Sequence, residues 1–174
     1  MDEISIREIG PQNLADAWLK NEPFSVWGRM IPALRDGIWS YATETFETAK
    51  EMTFPDEEYD IFTDDAIFLG AYRGETCVGL AVLRVETFRY LYLDDLKVCA
   101  AFRRQGVGRK LIAAAMEEAA KLGMQGVYTI AQDNNLSACL FYLNCGFTIG
   151  GFDNRAYRGT PQEDKADIYF YKDI

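Results

Sequence analysis

The run Arg103-Arg104-Gln105-Gly106-Val107-Gly108 has the residue types and spacing of an anion-binding turn. Gly106 and Gly108 let a backbone approach a ligand closely, and the apolar periodicity that begins at Val107 predicts a helix whose first amides lack partners within the chain. Free N–H groups and the positive end of a helix dipole converge at such a turn. Arg103, Arg104, Arg109 and Lys110 crowd four cations into eight residues of a chain with a formal charge of -9. A multiply charged anion suits that cluster. Two other phosphate signatures fail here: no Gly-Lys is followed by Ser or Thr, and there is no G-x-G-x-x-G with a downstream ribose acid. What remains is R-x-x-G-x-G after a strand, a pattern that a plain basic helix start with capping glycines also satisfies.

The elements that must position this turn are readable on either side of it. Residues 66–72 and 77–86 are apolar, β-branched or aromatic runs joined by Arg73-Gly74-Glu75, a hairpin signal, and residues 88–98 form a third adjacent strand. Beyond the turn, apolar residues at 107, 111, 112, 115, 116, 119 and 122 hold a helical stripe that Gly123 stops. Residues 126–131 read as a strand. Residues 135–145 read as a second helix, with Asn134 or Asn135 as its N-cap and Gly146 closing it. Two strands, residues 147–157 and 165–172, flank a turn at 159–161.

The first half is plainer. Ile4 and Ile6 alternate with polar neighbours as a strand, Gly10-Pro11 breaks it, and residues 12–19 read as a short helical stretch. Residues 24–50 are mixed, with a helix expected over residues 40–50. Residues 51–65 form an acidic loop: either a solvated, mobile segment or a device for concentrating a cation. The order is mixed αβ, antiparallel in front and strand-helix-strand-helix-strand behind.

Length and composition set bounds. The chain has 174 residues, 49% of them hydrophobic and 14% aromatic, enough for one core and one domain spanning 1–174. Eighteen basic residues against 27 acidic ones disfavour bulk attraction to nucleic acid or an anionic membrane and favour a cationic small-molecule amine as partner. No apolar run approaches the ~20 residues a bilayer requires, so a cytoplasmic setting is expected. Cys77, Cys99, Cys139 and Cys145 lack C-x-x-C spacing and lie in apolar segments, which reads as buried reduced thiols. With no His in the chain, no metal is expected, and any base must be Asp, Glu, Tyr or water.

The strand YLYLDDLKV, the turn and the segment N-x-x-A-x-x-F-Y-x-x-C-G-F at 135–147 follow in one order, and the block from Leu91 to Phe147 resembles the GNAT superfamily of acetyl-CoA N-acetyltransferases. That resemblance implies an α/β (α+β) fold: a mixed, mostly antiparallel central sheet of six or seven strands, helices on both faces and a splayed cofactor cleft. It implies acetyl-CoA as donor. Backbone groups of Leu96 and Val98 would pair with pantetheine amides, while Arg103, Arg104, Gln105, Gly106, Val107 and Gly108, with Arg109, would wrap the pyrophosphate. Asn135 matches an asparagine that contacts the pantetheine arm, and Tyr142 a tyrosine that faces the thioester sulfur.

The departing CoA thiolate is the conjugate base of a thiol near ~8.5, so a phenol near ~10 can stabilise it by hydrogen bonding or proton donation. Tyr142 can equally fill the interface between helix and sheet. On the acceptor side, an alkyl amine near ~10.4 is only about one part in 10³ neutral at pH 7, a deficit of roughly 4 to 5 kcal/mol. Strict alternation puts Tyr92, Asp94, Leu96 and Val98 on one face of their strand and Leu93, Asp95 and Lys97 on the other. Asp94 is then the first candidate for base or for anchor of a proton-accepting water, and Asp95 the second. Both can instead orient a cationic substrate or bond to neighbouring backbone.

A closer resemblance rests on Glu22-Pro23-Phe24 with Gly28 and Ile31-Pro32, on the acidic residues from Asp56 to Asp65, and on QDNNLSACLFYLNCGFTIGGFD at 132–153. These segments look like the streptothricin acetyltransferases, which act on a β-lysine amine of a polycationic antibiotic. Tyr157, Arg158 and residues 162–167 are further candidates for the acceptor side. A related enzyme acting on a polyamine or protein amine, and a non-catalytic acyl-CoA-binding module, stay open beside that reading. Trp18, Trp27 and Trp39 are candidates for a homodimer surface, the acceptor pocket or the core.

Overall fold

The computed structural model describes residues 3–61 and 63–174. Met1, Asp2 and Phe62, which belong to the opening segment and the acidic stretch, lie outside the described residues. In chain order the elements are β1 (Ile4–Glu8), β2 (Phe24–Arg35), β3 (Ile38–Met52), β4 (Ala66–Arg73), β5 (Thr76–Arg84), β6 (Tyr90–Val98), α1 (Val107–Lys121), β7 (Gly126–Gln132), α2 (Leu136–Asn144), β8 (Thr148–Asp153) and β9 (Asp167–Asp173). The expected helical stretch at 12–19 is a single 3-10 turn, Leu14–Trp18. The chain divides into two compact units: the described residues up to Pro23 with Thr53–Val127 and Ile174, and Phe24–Met52 with Tyr128–Asp173. Strand order is β1-β4-β5-β6 through the first unit and β7-β9-β8 through the second, in a mixed, mostly antiparallel sheet of seven strands; β2 and β3 pair separately.

In the first unit the turn at Gly74-Glu75 sets the β4–β5 register from Arg73↔Thr76 to Ala66↔Arg84, and β1 and β6 add antiparallel edges. Alternation along β5 then decides what each face meets. Leu80 and Val82 join Ile9, Ala17, Tyr59 and Phe68 in one buried cluster. The opposite face receives α1, whose buried stripe is Val107, Leu111, Ile112, Ala115 and Ala119, with Val107 and Leu111 lying directly over Gly79. The helix therefore starts against β5, just past the end of β6. The acidic loop is tied down in the same cluster, because Tyr59 is buried with its ring edge-on to Phe68 at 5.7 Å.

The expected helix over residues 40–50 is instead strand β3, half of a long hairpin with β2. Asp36 and Gly37, at φ +50° and +77°, form its two-residue turn, and Arg35 pairs with Ile38 directly across it. Asp-Gly with both residues left-handed matches the right-handed twist of the flanking strands. Residues 40–50 also carry β-branched Thr43, Thr45 and Thr48 and no apolar stripe of helical period, so strand pairing wins. The ladder is broken once: Val26 pairs with Lys50 and Gly28 with Thr45, so residues 46–49 stand opposite Trp27 alone. The parallel bridge Gly28↔Asn135 and the Trp27 Nε1 donation to Ser137 Oγ, 2.7 Å, hold β2 against the start of α2.

Gly37→Val must adopt φ +77° with a β-branched side chain, although no heavy atom crowds the position. A loss of about 1–2 kcal/mol is expected in urea unfolding, with Gly37→Asn close to wild type. Equal midpoints for all three proteins would refute the left-handed turn.

Candidate active site

β6 ends at Val98, a 3-10 turn spans Ala100–Phe102, and α1 begins at Val107. Between them Arg104 and Gly106 both take left-handed backbone, at φ +63° and +83°. Alternating hand across successive residues turns their N–H groups to one concave side. Among the described residues no carbonyl accepts from the amides of residues 104–108; the first intrahelical bond here runs from Lys110 N to Gly106 O, 3.1 Å. The turn thus leaves the backbone donors of residues 104–108 unspent.

Arg103 contributes differently from the expectation of a phosphate-facing cation. Its Nε donates to Val98 O at 3.0 Å and its Nη1 to Pro23 O at 2.8 Å, and Glu22 Oε2 lies 3.9 Å from Nη2. Glu22 also accepts from the Ala100 amide. One guanidinium thereby ties the end of β6 to the segment before β2. Gln105, although exposed, is held to the preceding turn, its Nε2 donating to Ala101 O at 2.8 Å. In the sequence, nothing about Glu22 marked it as the partner of this turn.

The two aspartates of β6 sit where its ladder slips. Val82 pairs with Asp95 but Leu83 with Leu93, which leaves Asp94 as an extra residue in the strand. A one-residue bulge reverses the alternation beyond it. Leu93 therefore shares a face with Leu96 and Val98, and the expected grouping of Asp94 with those two is overturned. Asp94 Oδ2 accepts from Arg84 Nε at 2.6 Å, with both side chains about one quarter exposed. Asp95 Oδ2 accepts from the Tyr59 hydroxyl at 2.7 Å and from Lys97 Nζ at 2.9 Å. Burial and the Asp95 charge push the Tyr59 phenol far above its ordinary range.

Tyr142 and Asn135 belong to the second unit. Tyr142 is buried, its ring centroid 5.5 Å from those of Phe141 and Phe147 and 5.7 Å from Phe170. Asn135 is the N-cap of α2, its Oδ1 accepting from Ala138 N at 3.2 Å, which leaves its NH₂ group for another partner. A polar network lies beside β7: Gln132 Nε2 donates to the Tyr157 hydroxyl at 3.0 Å, and that hydroxyl donates to Asp167 Oδ1 at 2.8 Å. Burial raises Asp167 and pushes the Tyr157 phenol up to about 12. Asp133 is also buried here without a signal in the sequence, since a carboxylate in Gln-Asp-Asn-Asn reads as loop.

All four cysteines are free, but only Cys139 and Cys145 are buried. Cys77 and Cys99 are partly exposed, contrary to expectation, because they sit at strand ends. Burial nonetheless pushes the Cys77 thiol to about 11 and the Cys139 thiol to about 12, so both are poor nucleophiles. Trp18 is exposed and Trp39 half-buried.

A model of the acetyltransferase (GNAT) family matches residues 31–147. Streptothricin acetyltransferase A of Bacillus subtilis (strain 168) is 34% identical over 163 residues, covering 91% of this chain and 94% of its own length. A streptothricin acetyltransferase of Escherichia coli is 27% identical over 162 residues, at 92% and 91% coverage. Among solved structures, a Bacillus anthracis str. Ames protein assigned as a streptothricin acetyltransferase, in complex with acetyl coenzyme A, matches with a TM-score of 0.90 at 30% identity over 99% of this chain and 100% of its own. A nourseothricin acetyltransferase shares the fold, with a TM-score of 0.81 at 22% identity over 98% of each chain.

The Tyr157 phenol has a folded pKa above its unfolded value near ~10, so the stability it confers is complete below that pH and is lost as pH rises through about 12. In urea unfolding, the margin of wild type over Tyr157→Phe is expected to shrink between those limits. A margin that stays constant across the same window would contradict the half-buried, hydrogen-bonded phenol.

Proposed function

This chain belongs to the GNAT acetyltransferase family, and we propose that it transfers the acetyl group of acetyl-CoA to a primary amine of streptothricin, in its β-lysine part, and so protects against that cationic antibiotic. The observation that carries the acceptor is the likeness to streptothricin acetyltransferase A along nine-tenths of both chains, since the family alone names no substrate. The unspent amides at residues 104–108 support acetyl-CoA as the donor, with a pyrophosphate as the anion they await. On this reading residues 1–174 act as one catalytic domain. A cytoplasmic setting supplies the donor; among the described residues no helix is long and apolar enough to cross a membrane.

The reaction needs a neutral amine to attack the thioester and a stabilised thiolate to leave. Backbone groups of Leu96 and Val98 would hold the pantetheine arm, with the NH₂ group of Asn135 beside it. The amides from Arg104 to Gly108, with Arg109 at the helix start, would hold the pyrophosphate, and Arg103 would act by fixing the turn. Tyr142 would hydrogen-bond or protonate the thiolate, its aromatic neighbours fixing the ring. Asp94, whose Oδ2 is occupied by Arg84, fits the anchoring of a proton-accepting water better than direct abstraction. Asp95, with Tyr59 and Lys97 on one oxygen, is the second candidate for that task.

Thiol release from acetyl-CoA in the presence of streptothricin tests the reading, and a protein active on spermidine but not on streptothricin would sink it. Tyr142→Phe is expected to lower kcat about a hundredfold with the KM for acetyl-CoA unchanged; an undiminished kcat removes the leaving-group role. Gly106→Val has open space but must hold φ +83°, so calorimetry should show acetyl-CoA binding weakened about tenfold. Unchanged affinity would mean that the turn does not read the cofactor.

A further inference from the structure

A cleft of about 400 Å³ lies within the second unit, between the β2–β3 hairpin and the segments that end β7 and precede β9. Its origin is the broken ladder of the hairpin. Residues 46–49 bow out opposite Trp27, and Phe46 and Thr48 from that bow line the cleft together with Val26. The wall facing them carries Asp133 and Asn134.

Asp133 is the unusual group. It is 6% exposed, and its backbone is fixed on both sides: its N–H donates to Ala166 O and its carbonyl accepts from Met30 N, both at 2.9 Å. Its Oδ1 accepts from Ala166 N at 3.1 Å. Among the described residues no cation pairs with this carboxylate. A buried charge with one neutral donor is costly unless something else compensates it. Asn134 Oδ1, on the same wall of the cleft, is buried without a partner, as is Oε1 of the preceding Gln132, which does not line the cleft. Unmet acceptors around a carboxylate call for a ligand rich in N–H groups.

The mouth has the opposite character. Three cations line the cleft, the exposed Lys50, Arg29, whose Nε donates to Glu44 Oε2 at 3.0 Å, and Lys165, whose Nζ donates to Gln162 Oε1 at 2.8 Å, while Asp164 is the exposed carboxylate among them. Ammonium groups at the rim repel a ligand that is cationic along its whole length and favour one with oxygen acceptors near its charged head.

We infer that this cleft is the acceptor subsite of the acetyltransferase, with Asp133 seating the cationic head of an amine that also carries hydroxyl or carbonyl oxygens, the class of amino sugars and aminoacyl compounds. The inference rests on the acetyl-transfer reading above and adds to it the residues that select the substrate. A bare polyamine fits the Asp133 end and not the rim.

The test uses the intact chain with streptothricin as probe. Asp133→Asn keeps an oxygen for the Ala166 amide and removes the charge; Thr48→Trp fills the cleft from an exposed strand position. Each is expected to raise the KM for streptothricin between about tenfold and a hundredfold, with the KM for acetyl-CoA and the thermal midpoint unchanged. Lys50→Glu is expected to improve spermidine as an acceptor relative to streptothricin. An unaltered streptothricin KM in Thr48→Trp overturns the inference even if Asp133→Asn fails to fold. A wild-type protein that acetylates no amine overturns the functional reading, and calorimetry with streptothricin then decides the subsite alone. Binding lost in Thr48→Trp supports it; binding unchanged, or absent from wild type, overturns it.

Discussion

The Arg103 guanidinium holds the end of β6 to the segment before β2, through Val98 O, Pro23 O and the Glu22 carboxylate. The backbone of the turn from Arg104 to Gly108 depends on that tie. A turn with two left-handed residues, one of them Arg104, is strained and persists only where its ends are held. With Arg103 bound inward, the amides of residues 104–108 are free to face a ligand instead of folding back on the chain. The basic cluster thus divides its labour, one arginine fixing the backbone that the positive helix end then uses.

Sequence reading succeeded where a local rule has no competitor. The stripe from Val107 and its stop at Gly123, the Asn135 cap, and the Gly74-Glu75 turn each follow from chemistry confined to a few neighbouring residues, and each is in place. It failed where pairing with a distant segment decides. Residues 40–50 were ambiguous until β2 offered them a partner across Asp36-Gly37, a turn signal that the helical expectation passed over. The bulge at Asp94 is invisible in YLYLDDLKV, because only the register against β5 reveals the extra residue. The face assigned to Asp94 fell with it.

The same limit governs the carboxylates. Asp94 and Asp95 stand out in a sequence because they are adjacent and lie on the strand that leads to the basic turn, yet each already holds a basic partner, Arg84 or Lys97. Asp133 looks ordinary among Gln132, Asn134 and Asn135 but is the one that folding buries, fixed through Ala166 and Met30 from far along the chain. Burial, unlike residue type, is a property of the whole fold. Carboxylates of interest are therefore better ranked by what remains unpaired around them than by their company in the chain.

The four residues of β3 that stand opposite Trp27 separate two stretches of ladder, one running back to the Asp36-Gly37 turn and one ending at Met52. Such a break uncouples length from register. Thr45 and Lys50 are five positions apart yet pair with Gly28 and Val26, which share a face, so the break already absorbs an odd number of extra residues without turning either stretch over. The hairpin thus carries a site at which the chain lining the cleft can lengthen or shorten without refolding either ladder.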